Sequence, residues 1–390
     1  MSHSDPKTCE ALLAAMVGFD SVNGNVSGRP DAEAELAAYL ESVATTWGLP
    51  TRRLPLARGA WNLLTWHEVD PKAPWLLFES HLDTVSVAGM TIDPFAADVR
   101  GGRMYGRGAC DTKGTGAAML WSLRHLAHDP GANNIALVFT TDEEITKIGI
   151  RTFVEDQLPA LGWRPQGAVV GEPTLLRPIV AHNGIVRWQI HTEGIAAHAA
   201  DPERGRSAIS MMMHVVNAIE SRYAPGLNRS HPLTGKARCT VNIIRGGVQV
   251  NVVPDHCTID LDRRVVPGED VNDVVPAVEQ VLDDLRRADA GLRVRQDEPY
   301  TDLPLNGVGS ESLVDIVRGI LRKHGIDGTP CGAKYGTDAS QLAAAGIPVV
   351  VMGPGDIAQA HTKDEWIALS QLARGVEVYG DLMRTAWSES

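Results

Sequence analysis

The chain has 390 residues, of which 44% are hydrophobic and 22% charged, and its formal net charge is −12. This length exceeds the ~250–300 residues at which single cores stop growing, so two domains are expected. The acidic balance, with no basic stripe, argues against nucleic-acid binding, and no apolar run approaches the ~20 residues of a membrane span. Five dispersed cysteines and the lack of a signal-peptide pattern predict a cytoplasmic protein.

The two ends of the chain alternate between helical patterns and short apolar runs. Leu36, Leu40, Val43 and Trp47 recur at helical spacing and predict a helix over 31–47. The further elements predicted there are, in chain order, a strand over 75–78, a helix over 113–128 and strands over 135–139, 168–170 and 348–352. This alternation predicts an α/β domain with a mostly parallel sheet flanked by helices.

The pattern changes in the middle of the chain. A helix over 207–223 is followed by strands over 237–244 and 256–263 and by a helix near 270–288, which is typical of an α+β unit. The simplest organisation is a catalytic domain made of residues 1–183 and 297–390, interrupted by a smaller inserted domain of residues 184–296.

Acidic and histidine residues follow the predicted strands, after the carboxyl end of each apolar run. In open α/β sheets, ligands bind at the carboxyl ends of the strands. A pair of metal ions ~3.5–4 Å apart needs one shared carboxylate and two further ligands for each ion, five in all. Imidazole and carboxylate ligands without thiolate suit zinc, cobalt or manganese. The residues that supply this set are His81, Asp111, Glu144, Glu172 and His361.

Two further residues fit roles beside such a centre. If Glu144 binds metal, its neighbour Glu143 is free to act as the general base on a water at the metals. Asp83 lies two residues after His81, and alternate residues at a strand end share a face. Asp83 is therefore predicted to accept the second imidazole N–H of His81.

Each residue also has an ordinary explanation when it is taken alone. His81 could be a core histidine, His361 a surface histidine and Asp111 a helix N-cap. The acidic run that contains Glu143 could be the start of a helix, where carboxylates favour the dipole. What favours a metal centre is their joint occurrence at matching strand ends.

A series of ordered motifs extends this pattern over nearly the whole chain. Together they resemble the acetylornithine deacetylase and succinyl-diaminopimelate desuccinylase family, within the wider di-zinc aminoacylase and carboxypeptidase group. The motifs are SHLDTV at 80–85, GRMYGRGACDTKG at 102–114, TTDEE at 140–144, GEPT at 171–174, GIAAHAADPERGRSAI at 194–209, VNVVPD at 250–255, DRRVVPG at 262–268, YGTDAS at 335–340 and GPGDIAQAHTKDEW at 353–366.

The resemblance implies a role for each predicted ligand. His81 and Glu172 would be terminal ligands of one zinc ion, and Glu144 and His361 of a second, with Asp111 as the bridge. Members of the family often have a cis peptide after the bridging aspartate, which here implies one between residues 111 and 112.

The resemblance also implies the proton-transfer group and the role of the insert. Glu143 would be the general base and would later protonate the leaving amine. The insert would be a lid and dimerisation domain of a homodimer, in which His198 reaches across to donate to the oxyanion. The residues implied to contact substrate are Asn251, Arg264 (with Arg263 as the alternative), Gly336 and Thr337.

The predicted activity is hydrolysis of the amide bond of an N-acyl amino acid. N-acetyl-ornithine, cleaved to ornithine and acetate as in arginine biosynthesis, is the first candidate substrate. The alternatives are a di-zinc carboxypeptidase, dipeptidase or desuccinylase on the same scaffold and, more remotely, a binding protein without activity. One departure bears on the substrate: His182-Asn183-Gly184 stands where many relatives have His-Lys-Gly, so a cation near the substrate is missing.

Overall fold

Buried apolar strands form the centre of the main sheet. The computed structural model describes residues 5–126 and 131–387. Its strands are β1 Thr51–Pro55, β2 Trp61–His67, β3 Trp75–His81, β4 Asp98–Arg100, β5 Arg103–Tyr105, β6 Asn134–Thr140, β7 Pro165–Val170, β8 Ile179–His182, β9 Gly184–Glu193, β10 Ala197–His198, β11 Ser230–His231, β12 Gly235–Lys236, β13 Arg238–Gly246, β14 Val252–Val253, β15 His256–Val265, β16 Val294–Gln296, β17 Tyr300–Asp302, β18 Cys331–Ala333, β19 Val349–Val351 and β20 Trp366–Ala368.

The helices alternate with these strands along both ends of the chain. They are α1 Cys9–Val17, α2 Gly24–Ser27, α3 Ala34–Thr46, α4 Lys113–Leu126, α5 Ile148–Thr152, α6 Leu158–Leu161, α7 Ala208–Ala218, α8 Ala224–Gly226, α9 Val274–Ala288, α10 Glu311–Lys323, α11 Ala339–Ala344 and α12 Leu369–Arg384. Single π-helical turns continue α5 and α7, at Phe153–Gln157 and Ile219–Tyr223. The last two residues of the helix predicted over 113–128 lie outside the described residues.

The chain divides into two compact units. The first consists of Met1–Val180, Gly307–Cys331 and Thr337–Ser390, and the second of Ala181–Asn306 and Gly332–Gly336. The predicted insert, 184–296, lies inside the second unit.

The main sheet has the strand order β1-β2-β6-β3-β7-β19-β8-β18. Its centre is parallel, since β3 runs parallel to β6 and β7, and β7 runs parallel to β19. The strands towards the edges pair antiparallel, as β1 does with β2 and β2 with β6. The predicted α/β class with a mostly parallel sheet and flanking helices is confirmed.

Helix α4 packs closely on the central strands. All seven residues of β6 are buried, as expected for a strand covered on both faces. A β-carbon at Gly116 of α4 would lie 2.9 Å from the ring of Phe139 and 3.0 Å from the hydroxyl of Ser80. Glycine at this position lets the helix approach β3 and β6 closely.

The second unit is built on an antiparallel sheet. Its order is β13-β15-β9-β16, with β17 also pairing with β9. The Ser207 side chain accepts a hydrogen bond from the Ser210 N–H and so caps the start of α7. Met212 and Val215 of α7 are fully buried against Trp188 and Ile259 of the sheet and Val278 of α9. This unit therefore has a core of its own.

Candidate metal centre

Four of the five predicted ligands lie near the end of a strand or the start of a helix, and the fifth lies in a loop. His81 is the last residue of β3, Glu144 follows β6, and Glu172 follows β7. Asp111 lies two residues before α4, and His361 lies in the loop that follows β19. The carboxyl ends of β3, β6, β7 and β19 share one edge because these strands are parallel.

The side chains of these residues converge on Asp111. His81 Nε2 lies 3.1 Å from Asp111 Oδ1, and His361 Nε2 lies 3.3 Å from Asp111 Oδ2. His361 Nε2 also lies 3.1 Å from Glu144 Oε1. Each oxygen of Asp111 therefore faces a different histidine, the arrangement that a carboxylate between two ions requires.

Glu172 and Glu143 also lie close to His81. Ligand atoms of His81, Glu143 and Glu172 lie within 4.8 Å of one another, as do those of His81, Asp111 and Glu144. The His361 side chain is 52% exposed, so the cluster opens to solvent on the side of this histidine.

The electrostatics of the cluster fit bound cations. Burial raises the pKa of Glu144 to about 7; the hydrogen bond to His361 opposes this rise, and the negative charge of Asp111 adds to it. Burial and repulsion from Asp111 and Glu143 raise the pKa of Glu172 well above its ordinary value. Hydrogen bonds to Asp111 and Glu144 raise the pKa of His361 to about 10. Carboxylates packed this closely ionise together only when positive charge compensates them, and a divalent metal pair supplies that charge.

Asp83 has a wider structural role than the one predicted for it. His81 Nδ1 lies 3.0 Å from the backbone carbonyl oxygen of Asp83 and 3.5 Å from its carboxylate Oδ1. That carboxylate accepts the backbone N–H groups of Glu143 at 3.0 Å and Glu144 at 3.1 Å. The Asn23 side chain donates to Oδ2, the oxygen that also accepts the Glu144 N–H, at 2.7 Å. Asp83 thus holds the turn that carries Glu143 and Glu144.

Glu143 itself is buried beside a lysine that was not predicted. Lys147 Nζ lies 3.2 Å from Glu143 Oε1. Burial raises the pKa of Glu143, while the charges of Lys147 and His81 oppose that rise. The i,i+4 spacing of a glutamate and a lysine was visible in the sequence, but it indicates a contact only on a helix. Here the two residues lie in the turn before α5.

Glu365 organises the loop that carries Asp111, and it was also not predicted. Its Oε1 accepts the backbone N–H groups of Cys110 at 2.9 Å and Asp111 at 3.0 Å. Its Oε2 accepts the Gly108 N–H at 3.1 Å and the Arg107 guanidinium at 2.7 Å. The peptide bond between Asp111 and Thr112 is cis, as the family resemblance implies. The only sequence signal for Glu365 was its place in the motif at 353–366.

The residues predicted to contact substrate are divided between the two units. His198 lies exposed on β10, where its Nδ1 accepts the Ala200 N–H at 3.1 Å. Asn251 is also exposed, and its carbonyl oxygen accepts the Ala199 N–H. Gly336 is half-buried and ends the second unit, and Thr337 is fully buried, with its hydroxyl accepting the Ala339 N–H.

The two arginines proposed as alternatives differ in burial. Arg263 is 2% exposed and its guanidinium pairs with Glu269 at 2.6 Å. Arg264 is only partly buried and pairs with Asp262 at 2.7 Å. Of the two, Arg264 is the one that solvent reaches.

Within residues 5–126 and 131–387, no helix has the length and apolar character needed to cross a membrane.

Comparison with known proteins identifies relatives over nearly the whole chain. The model of peptidase family M20/M25/M40 matches residues 77–385. Acetylornithine deacetylase of Edwardsiella ictaluri (strain 93-146) is 29% identical over 373 residues, with 92% of each chain covered. That of Photorhabdus laumondii subsp. laumondii is 30% identical over 341 residues, covering 86% of this chain and 85% of the relative.

A solved structure shares the fold at lower sequence identity. An M20 family metallo-carboxypeptidase from Sulfolobus solfataricus superposes with a TM-score of 0.77 at 17% identity, covering 95% of this chain and 97% of that one.

Proposed function

Because this chain belongs to peptidase family M20/M25/M40 and is a metal-dependent hydrolase of that family, we propose that it hydrolyses the amide bond of N-acyl amino acids. N-acetyl-ornithine is the first candidate, and its products are ornithine and acetate. The observation that carries the proposal is the convergence of His81, His361 and Glu144 on the two oxygens of Asp111. Support for the acyl-amino-acid class comes from relatives named acetylornithine deacetylase.

The proposed ligand set is that of a two-metal centre. His81 and Glu172 would hold one ion, Glu144 and His361 would hold the other, and Asp111 would lie between them. Zinc is the first candidate metal, and cobalt or manganese would suit the same oxygen and nitrogen donors. Ions bound there supply Lewis acidity towards the amide carbonyl and lower the pKa of the attacking water.

The residues of the chain then divide the proton transfers. Glu143 takes a proton from the attacking water as the water oxygen bonds to the carbonyl carbon. The C–N bond breaks and Glu143 returns the proton to the leaving nitrogen. The products are a carboxylic acid and an amine, and proton exchange converts them to a carboxylate and an ammonium ion. His198, donated by the second copy in a homodimer, would stabilise the negative charge that develops on the carbonyl oxygen.

The substrate carboxylate needs a cation, and Arg264 is the proposed one. Both arginines pair with a carboxylate, but Arg263 is buried with Glu269, whereas the Arg264 guanidinium beside Asp262 is partly exposed. Asn251, Gly336 and Thr337 are the other proposed contacts. With such a substrate, the protein would act in the cytoplasm, in arginine biosynthesis.

The test is amine release from a substrate panel by the metal-loaded chain. The panel contains N-acetyl-ornithine, N-acetyl-citrulline, N-succinyl-diaminopimelate and simple dipeptides, each with added zinc or cobalt. A preference of about tenfold or more for an acetylated amino acid supports the proposal. A preference for dipeptides or for the succinyl substrate would overturn it in favour of a peptidase or a desuccinylase.

Glu143→Gln provides the mechanistic control in the same assay. The amide keeps the shape of the side chain but cannot accept the proton, so kcat should fall by about 10²–10⁴-fold. Metal content, measured by plasma emission spectroscopy, should stay at the wild-type level. Turnover by a metal-replete Glu143→Gln protein at the wild-type rate would contradict the role of Glu143.

A further inference from the structure

Lys147 forms a buried ion pair with the proposed general base. Its Nζ lies 3.2 Å from Glu143 Oε1, and the two side chains are 5% and 10% exposed. An ion pair from which water is excluded interacts more strongly than one at the surface, since the effective dielectric constant is lower. The contact therefore restricts the orientation of the Glu143 carboxylate much more than a surface pair would.

The backbone at Lys147 is unusual for a lysine. Its φ is 56° and its ψ 29°, the left-handed region, and its N–H donates to the Asp142 carbonyl oxygen at 2.6 Å. The β-carbon of an L-residue is crowded there, so glycine or asparagine is the residue type that this turn favours. A lysine kept in such a conformation at an active site indicates a use for its side chain.

Two other buried carboxylates lie near this pair and offer a competing explanation. Glu79 and Asp338 both contact the Thr140 hydroxyl, at 2.6 Å and 3.1 Å. A buried cation would balance their charge without any effect on Glu143. The 3.2 Å ion pair, however, is formed with Glu143.

We propose that Lys147 is a positioning residue that holds Oε1 of Glu143 and so directs the second carboxylate oxygen towards the attacking water. The inference rests on the proposed function of Glu143 as the general base. A displacement of ~1 Å in a reacting group can cost on the order of 10²-fold in rate. Loss of the ammonium group frees the carboxylate to turn away, which slows proton transfer and leaves substrate binding unchanged.

The experiment compares Lys147→Met, Lys147→Gly and Lys147→Arg in the full chain loaded with zinc. The substrate is the one that the wild-type protein turns over best. We expect kcat of the Met and Gly variants to fall by about 10–100-fold, with KM within about twofold of wild type and metal content unchanged. Lys147→Arg, which keeps the cation, should recover most of kcat.

The Gly variant is the matched control for the backbone. It removes the ammonium group as the Met variant does, but it relieves the left-handed conformation. Equal losses in both variants assign the effect to the ammonium group. A Gly variant with wild-type kcat would show that the ammonium group is not required and would overturn the inference.

A double-variant cycle separates positioning from charge balance. In the Glu143→Gln background, measured by single turnover, Lys147→Met should cost no further rate, because its effect acts through Glu143. Losses that multiply would show that Lys147 acts through Glu79 and Asp338 and would overturn the inference. If the Glu143→Gln rate lies below detection, the cost of Lys147→Met is measured in a Glu79→Gln, Asp338→Asn background instead. An unchanged cost supports the inference, and loss of that cost overturns it.

The two levels of proposal fail in different ways. A wild-type protein that turns over no substrate of the panel contradicts the proposed function. An active wild-type protein whose Glu143→Gln variant is impaired, together with a fully active Lys147→Met variant, contradicts only the role of Lys147.

Discussion

The metal-ligand edge, meaning the edge of the first unit that carries the predicted metal ligands, is built differently from the proposed substrate contacts of the second unit. Asp83 accepts the backbone N–H groups of Glu143 and Glu144. Glu365 accepts that of Asp111, so buried hydrogen bonds hold this edge. His198 and Asn251 are exposed, and they accept the backbone N–H groups of Ala200 and Ala199, respectively. The difference shows that buried hydrogen bonds fix the geometry of one region, whereas the candidate side chains of the other are exposed.

The largest expected effect tests the exposed region. His198→Ala should lower kcat by about 10²–10³-fold, the usual cost of an oxyanion donor. The His198 ring accepts its hydrogen bond from Ala200, which is not a predicted metal ligand. Metal content should therefore not change. Steady-state kinetics and metal analysis on the same preparation measure both.

Mixing variants tests whether His198 is donated by a second copy. A dimer with one His198→Ala chain and one Glu143→Gln chain contains one site with both groups intact. Random remixing should therefore restore about a quarter of wild-type activity. No recovery after subunit exchange has been verified, or a monomer by light scattering, would contradict donation across a dimer.

A smaller effect is expected where the buried edge is weakened. Glu365→Gln places an NH₂ group against backbone N–H donors, which leaves buried donors without an acceptor. The loop that carries Asp111 should shift, and metal affinity should fall by about 10–100-fold, as is typical when the support of a ligand is removed. Competition with a chromogenic chelator measures that affinity.

The control for this variant is a glutamate on the surface. Glu311→Gln, on the exposed face at the start of α10, makes the same chemical change away from the metal-ligand edge. Equal metal affinity in the Glu365 and Glu311 variants would show that the Glu365 contacts do not position Asp111.

Metal affinity should also depend on pH, by a factor that applies per pH unit. In the metal-free protein, the pKa of Glu144 is about 7 and that of His361 about 10, so both hold protons at pH 6 that a metal must displace. The metal-bound form carries fewer protons, and raising the pH therefore favours binding. Affinity should rise by up to about tenfold per pH unit for each displaced proton between pH 6 and 8.

Calorimetry in buffers of different ionisation enthalpy counts those protons. A positive number released at pH 6 that declines by pH 8 agrees with displacement from Glu144. An affinity that is independent of pH over this range would show that the ligands are already deprotonated before metal binds.

The sequence by itself predicted the main sheet and the candidate ligands. Strands β3, β6 and β7 are buried over most of their length, and in the sequence each contains a continuous apolar run. A residue at or shortly after the end of a strand lies near the edge of the sheet where that strand ends. The order of residues along the chain was therefore enough to predict that His81, Glu144 and Glu172 lie at one edge. The cis peptide at Asp111 and the candidate contacts of the second unit came from motif resemblance instead.

Tertiary structure alone decided what supports those ligands. Glu365 and Asp111 are 254 residues apart, and Asn23 and Asp83 are 60 apart, so no periodic pattern connects them. Lys147 reaches Glu143 because the turn before α5 adopts a left-handed backbone that its residue type does not favour. Hydrogen bonds to backbone groups depend on where the chain passes, and that path is set by the packing of the whole unit rather than by local sequence.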